Sequence, residues 1–232
     1  MSHATSHQHA SSARIVPKLG PLFCAALLIL LVGIVFVPTA GASNASAQTN
    51  TTSLAAQQSS LLTNSVAYWK YDDASGTSVA DSAGTNTGAW QGTLGSQWTS
   101  GKINGAGHFD GTSNTVTVPS STALRLTGAF TISAWINLTT TSLQQGIVEK
   151  YDSPGKNGYF FRVLNGGVLG GGTANGSSYT FVSGTTPVSI NTWHFVVMVF
   201  DGAHVSFYLD SATPDATVAD SRTPTAGATS LK

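Results

Sequence analysis

From Val66 onward, short runs of β-branched and aromatic residues alternate with clusters of Gly, Asn, Asp and Ser. The clusters recur every roughly 8 to 12 residues, the rhythm of an all-β sandwich or barrel. The pattern predicts strands over Val66–Tyr71, Gly107–Asp110, Thr115–Val118, Phe130–Leu138, Gly146–Tyr151 and Tyr159–Leu164. Two more, Trp193–Phe200 and His204–Leu209, meet at Asp201-Gly202, a strong short-range hairpin signal. Within Phe130–Leu138, Phe130, Ile132, Ala134, Ile136 and Leu138 share one face, and Thr131, Ser133, Trp135 and Asn137 share the other. The first face is assigned to the core. Trp193–Phe200 is apolar on both faces and reads as an inner strand covered on both sides. Trp135 and Trp193 are both expected inside the sandwich.

The beginning of the chain follows another pattern. Arg14 and Lys18 precede an apolar run from Leu22 to Val37, which Pro38 breaks. Two small-residue sites follow, Ala40-Gly41-Ala42 and Ala45-Ser46-Ala47. Residues 1–42 therefore read as a signal peptide. Counted from Leu19 to Ala40, the run also reaches the ~20 residues that span a bilayer, so a signal-anchor helix stays open. Either reading puts the protein outside the cell or on its surface, with membrane contact only through this segment. His3, His7 and His9 go with the leader or its tail rather than with a metal site. Residues 43–64, rich in Ser, Thr, Asn, Gln and Ala, read as a disordered linker. A globular domain over 65–211 follows, and then a polar connection over 212–232.

Composition narrows the chemistry. Ten basic and ten acidic side chains cancel in 232 residues, and charged residues are only 9% of the total. A nucleic-acid binder needs a cationic surplus or stripe, and none exists here. The single cysteine, Cys24, lies within the apolar run, so neither a disulfide framework nor a zinc-ligand pattern is available. Glu149 is the only glutamate. A mechanism built on two glutamates is excluded within this chain.

Several segments together resemble the laminin-G-like domain of the concanavalin A-like lectin/glucanase superfamily. They are Val66-Ala67-Tyr68-Trp69-Lys70-Tyr71-Asp72, Val79-Ala80-Asp81-Ser82, Gly105 to Gly111, and Thr115-Val116-Thr117-Val118-Pro119. Phe130 to Ile136 and Trp193-His194-Phe195-Val196 complete the set, in the family's order. The resemblance implies an antiparallel two-sheet jelly-roll sandwich. It also implies closing strands beyond Leu231-Lys232, and Leu209-Asp210-Ser211 stands where the family usually has Val-Asp-Gly. Val66–Tyr71 is on this reading expected to lack a pairing partner within the chain.

Candidate sites are few. A glucanase-type pair needs two carboxylates about 5 Å apart. Glu149 has no acid two or four residues along its strand, and Asp152 falls on the opposite face. Glu149 is read as a surface acid beside Lys150. His108, His194 and His204 belong to no nucleophile-elbow motif and are read as structural. Asp72, Asp73, Asp81 and Asp110 supply hard oxygen ligands in loops, which suits calcium; the same residues are also good turn formers. Trp90, Trp98, Tyr151 and Tyr159 offer flat faces for stacking on a sugar ring, with core closure as the alternative for the two tryptophans. The resemblance implies a non-catalytic recognition or adhesion module for carbohydrate or glycoprotein, presented by a larger protein. The alternatives are a binding appendage of a glycoside-active enzyme and a structural spacer.

Overall fold

The computed structural model describes residues 8–17, by their strand pairing, and residues 65–232. The apolar run with Cys24, the linker over 43–64, and His3 and His7 lie outside the described residues. The strands are β1 (Gln8–Pro17), β2 (Ala67–Trp69), β3 (Ser78–Val79), β4 (Gly88–Gln91) and β5 (Trp98–Ser100). Next come β6 (Gly105–Phe109), β7 (Thr115–Thr117), β8 (Phe130–Leu138), β9 (Gln145–Asp152) and β10 (Asn157–Val163). The last five are β11 (Val168–Asn175), β12 (Val182–Pro187), β13 (Trp193–Phe200), β14 (His204–Leu209) and β15 (Ala216–Ala219).

One layer is an 8-stranded sheet in the order β15-β14-β13-β8-β1-β6-β5, with β2 also paired to β1. Opposite lie a 4-stranded sheet, β12-β11-β10-β9, and a 3-stranded sheet, β3-β4-β7. Two residues stitch these smaller sheets together. Leu231 exchanges both backbone hydrogen bonds with Val118 (2.8 and 3.0 Å), and Lys232 exchanges both with Glu149 (2.8 and 2.8 Å). Every strand pairing is antiparallel.

The core sits between the layers because β8 buries every second residue, and Val196, Met198 and Phe200 of β13 continue that face. Rings interlock across the gap. Phe161 stacks on Phe207 with centroids 5.4 Å apart, and Phe130 meets Tyr159 at 5.1 Å. Burying each such side chain contributes ~1.5–3 kcal/mol.

Several expectations change. Ala67–Trp69 does have a partner: it pairs with Ala13, Arg14 and Ile15 of β1, a segment the sequence pattern assigned to the leader. A nine-residue edge on β8, the whole of β2 and one end of β6 carry backbone groups that need partners, and β1 supplies them. Trp135 and Trp193 are half-buried rather than interior. Trp135 lies on the outward face of β8, against Phe195 at 5.3 Å and under the Lys102 ammonium. β13 is an inner strand by pairing, but its outward face is open, with Phe195 38% exposed. The polar stretch after Ser211 contains β15 and is tied down. Asp215 accepts from the Thr185 and Thr186 backbone N–H groups, and buried Asp220 accepts from the Thr173 hydroxyl at 2.6 Å and the Arg222 guanidinium at 2.9 Å.

Candidate functional site

The side chains predicted from sequence fall into three places. The loop aspartates are the first. Asp72 accepts from the Gly105 N–H (2.8 Å) and Asp73 from the Ala80 N–H (3.1 Å). Asp81 accepts from the Tyr68, Ala83 and Asn86 N–H groups, and Asp110 from those of Thr112, Ser113 and Asn114. Burial pushes the Asp81 carboxyl up, but these N–H donors outweigh it and hold it below the usual carboxylate range. Asp110 is likewise held well below that range, the upward push of desolvation outweighed by the Ser113 hydroxyl and three backbone donors together. Among the described residues, no three His, Cys, Asp or Glu side chains gather around one point that could hold an ion. Each of the four aspartates has at least one oxygen that shapes a loop by accepting a backbone N–H.

The second place is an aromatic cluster beneath the β4–β5–β6 region. Trp90 lies 4.6 Å from Phe109 and 5.8 Å from Trp98, and Tyr71 closes on both Phe109 and Trp98. Trp90 is only 3% exposed and its face meets other rings, so it is a core residue and not a sugar platform. Trp98 is partly exposed and lines a cavity with Tyr71, Asp72 and Asn104, which brings one predicted aromatic and one predicted aspartate together. Tyr159 is also removed from the ligand candidates. It is 1% exposed, its hydroxyl donates to the Leu124 carbonyl at 3.0 Å, and burial holds its pKa well above the ordinary value.

The third place is the outward face of the 4-stranded sheet, where Tyr151 of β9 stands. Strand alternation points Tyr159, Phe161 and Val163 inward, and so turns Phe160 and Arg162 outward. Phe160 is 3% exposed because other rings cover it: Tyr151 at 4.9 Å, Phe181 at 6.3 Å in a nearly parallel stack, and Tyr179 at 6.4 Å edge-on. Tyr179 and Phe181 are 50% and 47% exposed, a large apolar investment to leave in water. Beside them Arg162 lies over the Phe160 ring at 4.8 Å and forks onto Glu149 through Nε–Oε1 (2.5 Å) and Nη2–Oε2 (3.0 Å). Glu149 is therefore paired across the sheet with Arg162. Its chain neighbour Lys150 points into the interior, 1% exposed, donating to the Ser120 hydroxyl and the Thr229 carbonyl.

Local sequence builds this face. Asn175 Oδ1 accepts from the Ser177 and Ser178 N–H groups and closes a turn through Gly176, at φ +88°. That turn returns the chain so that Tyr179 bridges Ala174. Gly172 permits the close approach of the returning strand, because a Cβ there would meet the Thr180 carbonyl oxygen at 1.8 Å. Sequence reasoning found Tyr151 and missed Phe160, Arg162 and Phe181 as site residues. The signal was the outward parity of Phe160 and Arg162 beside a run of three glycines.

The strand histidine is part of a surface clamp. Ser189 Oγ lies 2.7 Å from His194 Nε2, and His194 Nδ1 lies 2.5 Å from Asp210 Oδ2. Asp210 also accepts from the Phe195 N–H at 2.7 Å and returns its own N–H to the Phe195 carbonyl. The arrangement ties the turn after β12 to the β13–β14 hairpin.

The chain is thus a two-layer antiparallel sandwich with aromatics displayed on one sheet face. The laminin-G-like family model of the concanavalin A-like lectin/glucanases superfamily matches residues 110–231, and the chain belongs to this family. Among solved structures, the carbohydrate binding module CBM66 from Bacillus subtilis is similar, at 14% identity and a TM-score of 0.31. That alignment covers 61% of this chain and 85% of the module, a likeness too distant to bear on ligand or mechanism. No curated protein matches the chain.

Proposed function

We propose that this domain is a non-catalytic, extracellular carbohydrate-recognition module whose binding face is the outward surface of β9–β12. The observation that carries this reading is the ring set of half-buried Tyr151 and exposed Tyr179 and Phe181 around buried Phe160, beside the Arg162–Glu149 fork. Aromatic faces stack on the C–H face of a pyranose, and a forked guanidinium–carboxylate pair offers donors and acceptors to vicinal hydroxyls. Hydrolysis would ask for a second carboxylate working with Glu149, whose own carboxylate is held by Arg162.

Affinity electrophoresis in gels carrying neutral soluble polysaccharides tests the proposal. At least one polysaccharide should retard the protein, and Tyr179→Ala with Phe181→Ala should abolish the retardation while the melting temperature is largely kept. Retardation that survives the double variant would place the ligand elsewhere. Polysaccharide turnover by the purified protein, lost in Glu149→Gln, would overturn the non-catalytic assignment.

A further inference from the structure

The stretch after β15, a polar connection by its sequence, runs beside the turn that delivers Tyr179 to the sheet face. It starts on the other layer. β15 belongs to the 8-stranded sheet, and the Asp220 N–H that follows it donates to the Ala203 carbonyl in the β13–β14 turn at 2.6 Å. Asp220 is 3% exposed. Its Oδ2 accepts from the Thr173 hydroxyl of β11 at 2.6 Å, and its Oδ1 accepts from Arg222 Nε at 2.9 Å. Burial pushes the Asp220 carboxyl up, but the Thr173 hydroxyl, with the other donors around it, outweighs this and holds it below the usual carboxylate range. It therefore faces Arg222 as a carboxylate.

The guanidinium has a second arm. Arg222 Nη1 donates to Ser178 Oγ at 2.8 Å, and Ser178 is the residue before Tyr179. The Ser178 hydroxyl in turn donates to Asn175 Oδ1 at 3.3 Å, so Arg222 enters the hydrogen bonding of the turn itself. Three residues further on, the Thr225 N–H donates to the Ala174 carbonyl at 2.9 Å. Arg222 and Thr225 thus clasp the turn at its two ends and tie it to the opposite layer through Asp220.

The Tyr179 ring needs such a hold. It is 50% exposed, and it meets Tyr151 at 6.3 Å and Phe160 at 6.4 Å edge-on. Packing on half its surface leaves its direction to the backbone it departs from. A ring already in place when a ligand arrives loses less freedom on binding.

We propose that Arg222 is a positioning residue of the ligand face: it holds Ser178 to buried Asp220 and so fixes the direction in which Tyr179 meets a sugar. This inference rests on the reading of the β9–β12 surface as the carbohydrate site.

The test combines affinity electrophoresis in gels carrying hydroxyethylcellulose, glucomannan or xyloglucan with hydrogen exchange on the ligand-free full chain. In the gel that retards the parent most, Arg222→Gln should weaken retention roughly threefold or more, within the roughly 3- to 10-fold expected for loss of the Tyr179 contact itself. In the Tyr179→Ala background the same substitution should cost nothing further, because a residue acting through that ring has nothing left to position. Ser178→Ala leaves the Asp220–Arg222 pair intact and should show the same dependence on Tyr179, which keeps the test decisive if Arg222→Gln fails to fold. Exchange should quicken severalfold at residues 176–181 in both variants and stay unchanged in β8 and β13; a merely structural Arg222 would quicken both regions. Unchanged retention, an equal loss with and without Tyr179, or quickening spread over the whole sandwich would each overturn the proposal. A parent protein that none of the gels retards would overturn the carbohydrate reading and Arg222's part in it together, whereas a retarded parent with unchanged exchange in the variants would overturn the positioning role alone.

Discussion

The two aromatic clusters of this domain are built from the same residue types and do opposite things. Trp90, Trp98, Tyr71 and Phe109 turn their rings toward one another and fill the end of the sandwich. Tyr151, Phe160, Tyr179 and Phe181 also touch one another, but on a sheet face that has no layer above it among the described residues. In the first cluster Trp90 is 3% exposed; in the second Tyr179 is 50% exposed. Removing a ring from the first opens a cavity inside the protein. Removing Tyr179 or Phe181 from the second uncovers part of Phe160 but opens no cavity between the layers. The number of aromatic contacts therefore does not distinguish core from ligand face; the presence of an opposing layer does.

The largest expected difference is in stability. Trp90→Ala should cost ~3–5 kcal/mol in urea unfolding, the usual range for emptying a buried aromatic site. Tyr179→Ala should stay within about 1 kcal/mol of the parent. Equal losses would mean that the sheet face is as structural as the end cluster, and the contrast between the two would collapse.

Binding should show the reverse order. Tyr151→Ala or Tyr179→Ala should each weaken polysaccharide retention by roughly 3- to 10-fold, the value of one stacking contact of about 0.5–1.5 kcal/mol. Trp98→Ala should leave retention within about twofold if its cavity is not the ligand site. If Trp98→Ala costs more than Tyr179→Ala, the cavity beside Asp72 and Asn104 is the binding place instead.

Acid should act on the turns of the first region. Asp81 and Asp110 have folded-state pKa values below their unfolded ones, so their stabilisation is complete above about pH 4. It is lost as pH falls through the folded values. The melting temperature should accordingly drop below about pH 4, and Asp81→Asn should be less stable at pH 7 but fall less steeply in acid. A melting temperature that is flat from neutral pH to pH 2 would contradict the hydrogen-bonded aspartate turns. The smallest effect concerns calcium. Because the loop aspartates already serve backbone N–H groups, chelator and millimolar calcium should give the same melting temperature. A clear rise with calcium would show that the loops rearrange to bind it.

The alternation in Phe130–Leu138 and the Asp-Gly hairpin between Trp193–Phe200 and His204–Leu209 were readable from the chain, and both match the strand bounds. They are legible because side-chain parity and turn chemistry are local properties of a strand. Val168–Asn175 was not legible: its three consecutive glycines carry no side chain from which a period could be read, and its pairing comes from β10 and β12 on either side. Ala216–Ala219 was read as connection because it lies within a polar stretch, and it becomes a strand because β14 presents an edge.

The ligand face divides in the same way. The sequence by itself settled the all-β class, the inward face of β8 and the lack of a second glutamate, since each depends on residue order or count alone. It named Trp90, Trp98, Tyr151 and Tyr159 together, because an aromatic side chain looks the same whichever side of a sheet it occupies. Only the tertiary structure separated them. Trp90 and Tyr159 lie where another layer covers them, while Tyr151 joins Tyr179 and Phe181 on a face that the Asn175–Ser178 turn and Gly172 leave open to solvent. Burial is a relation between distant segments, and it exists only once the two layers have closed on each other.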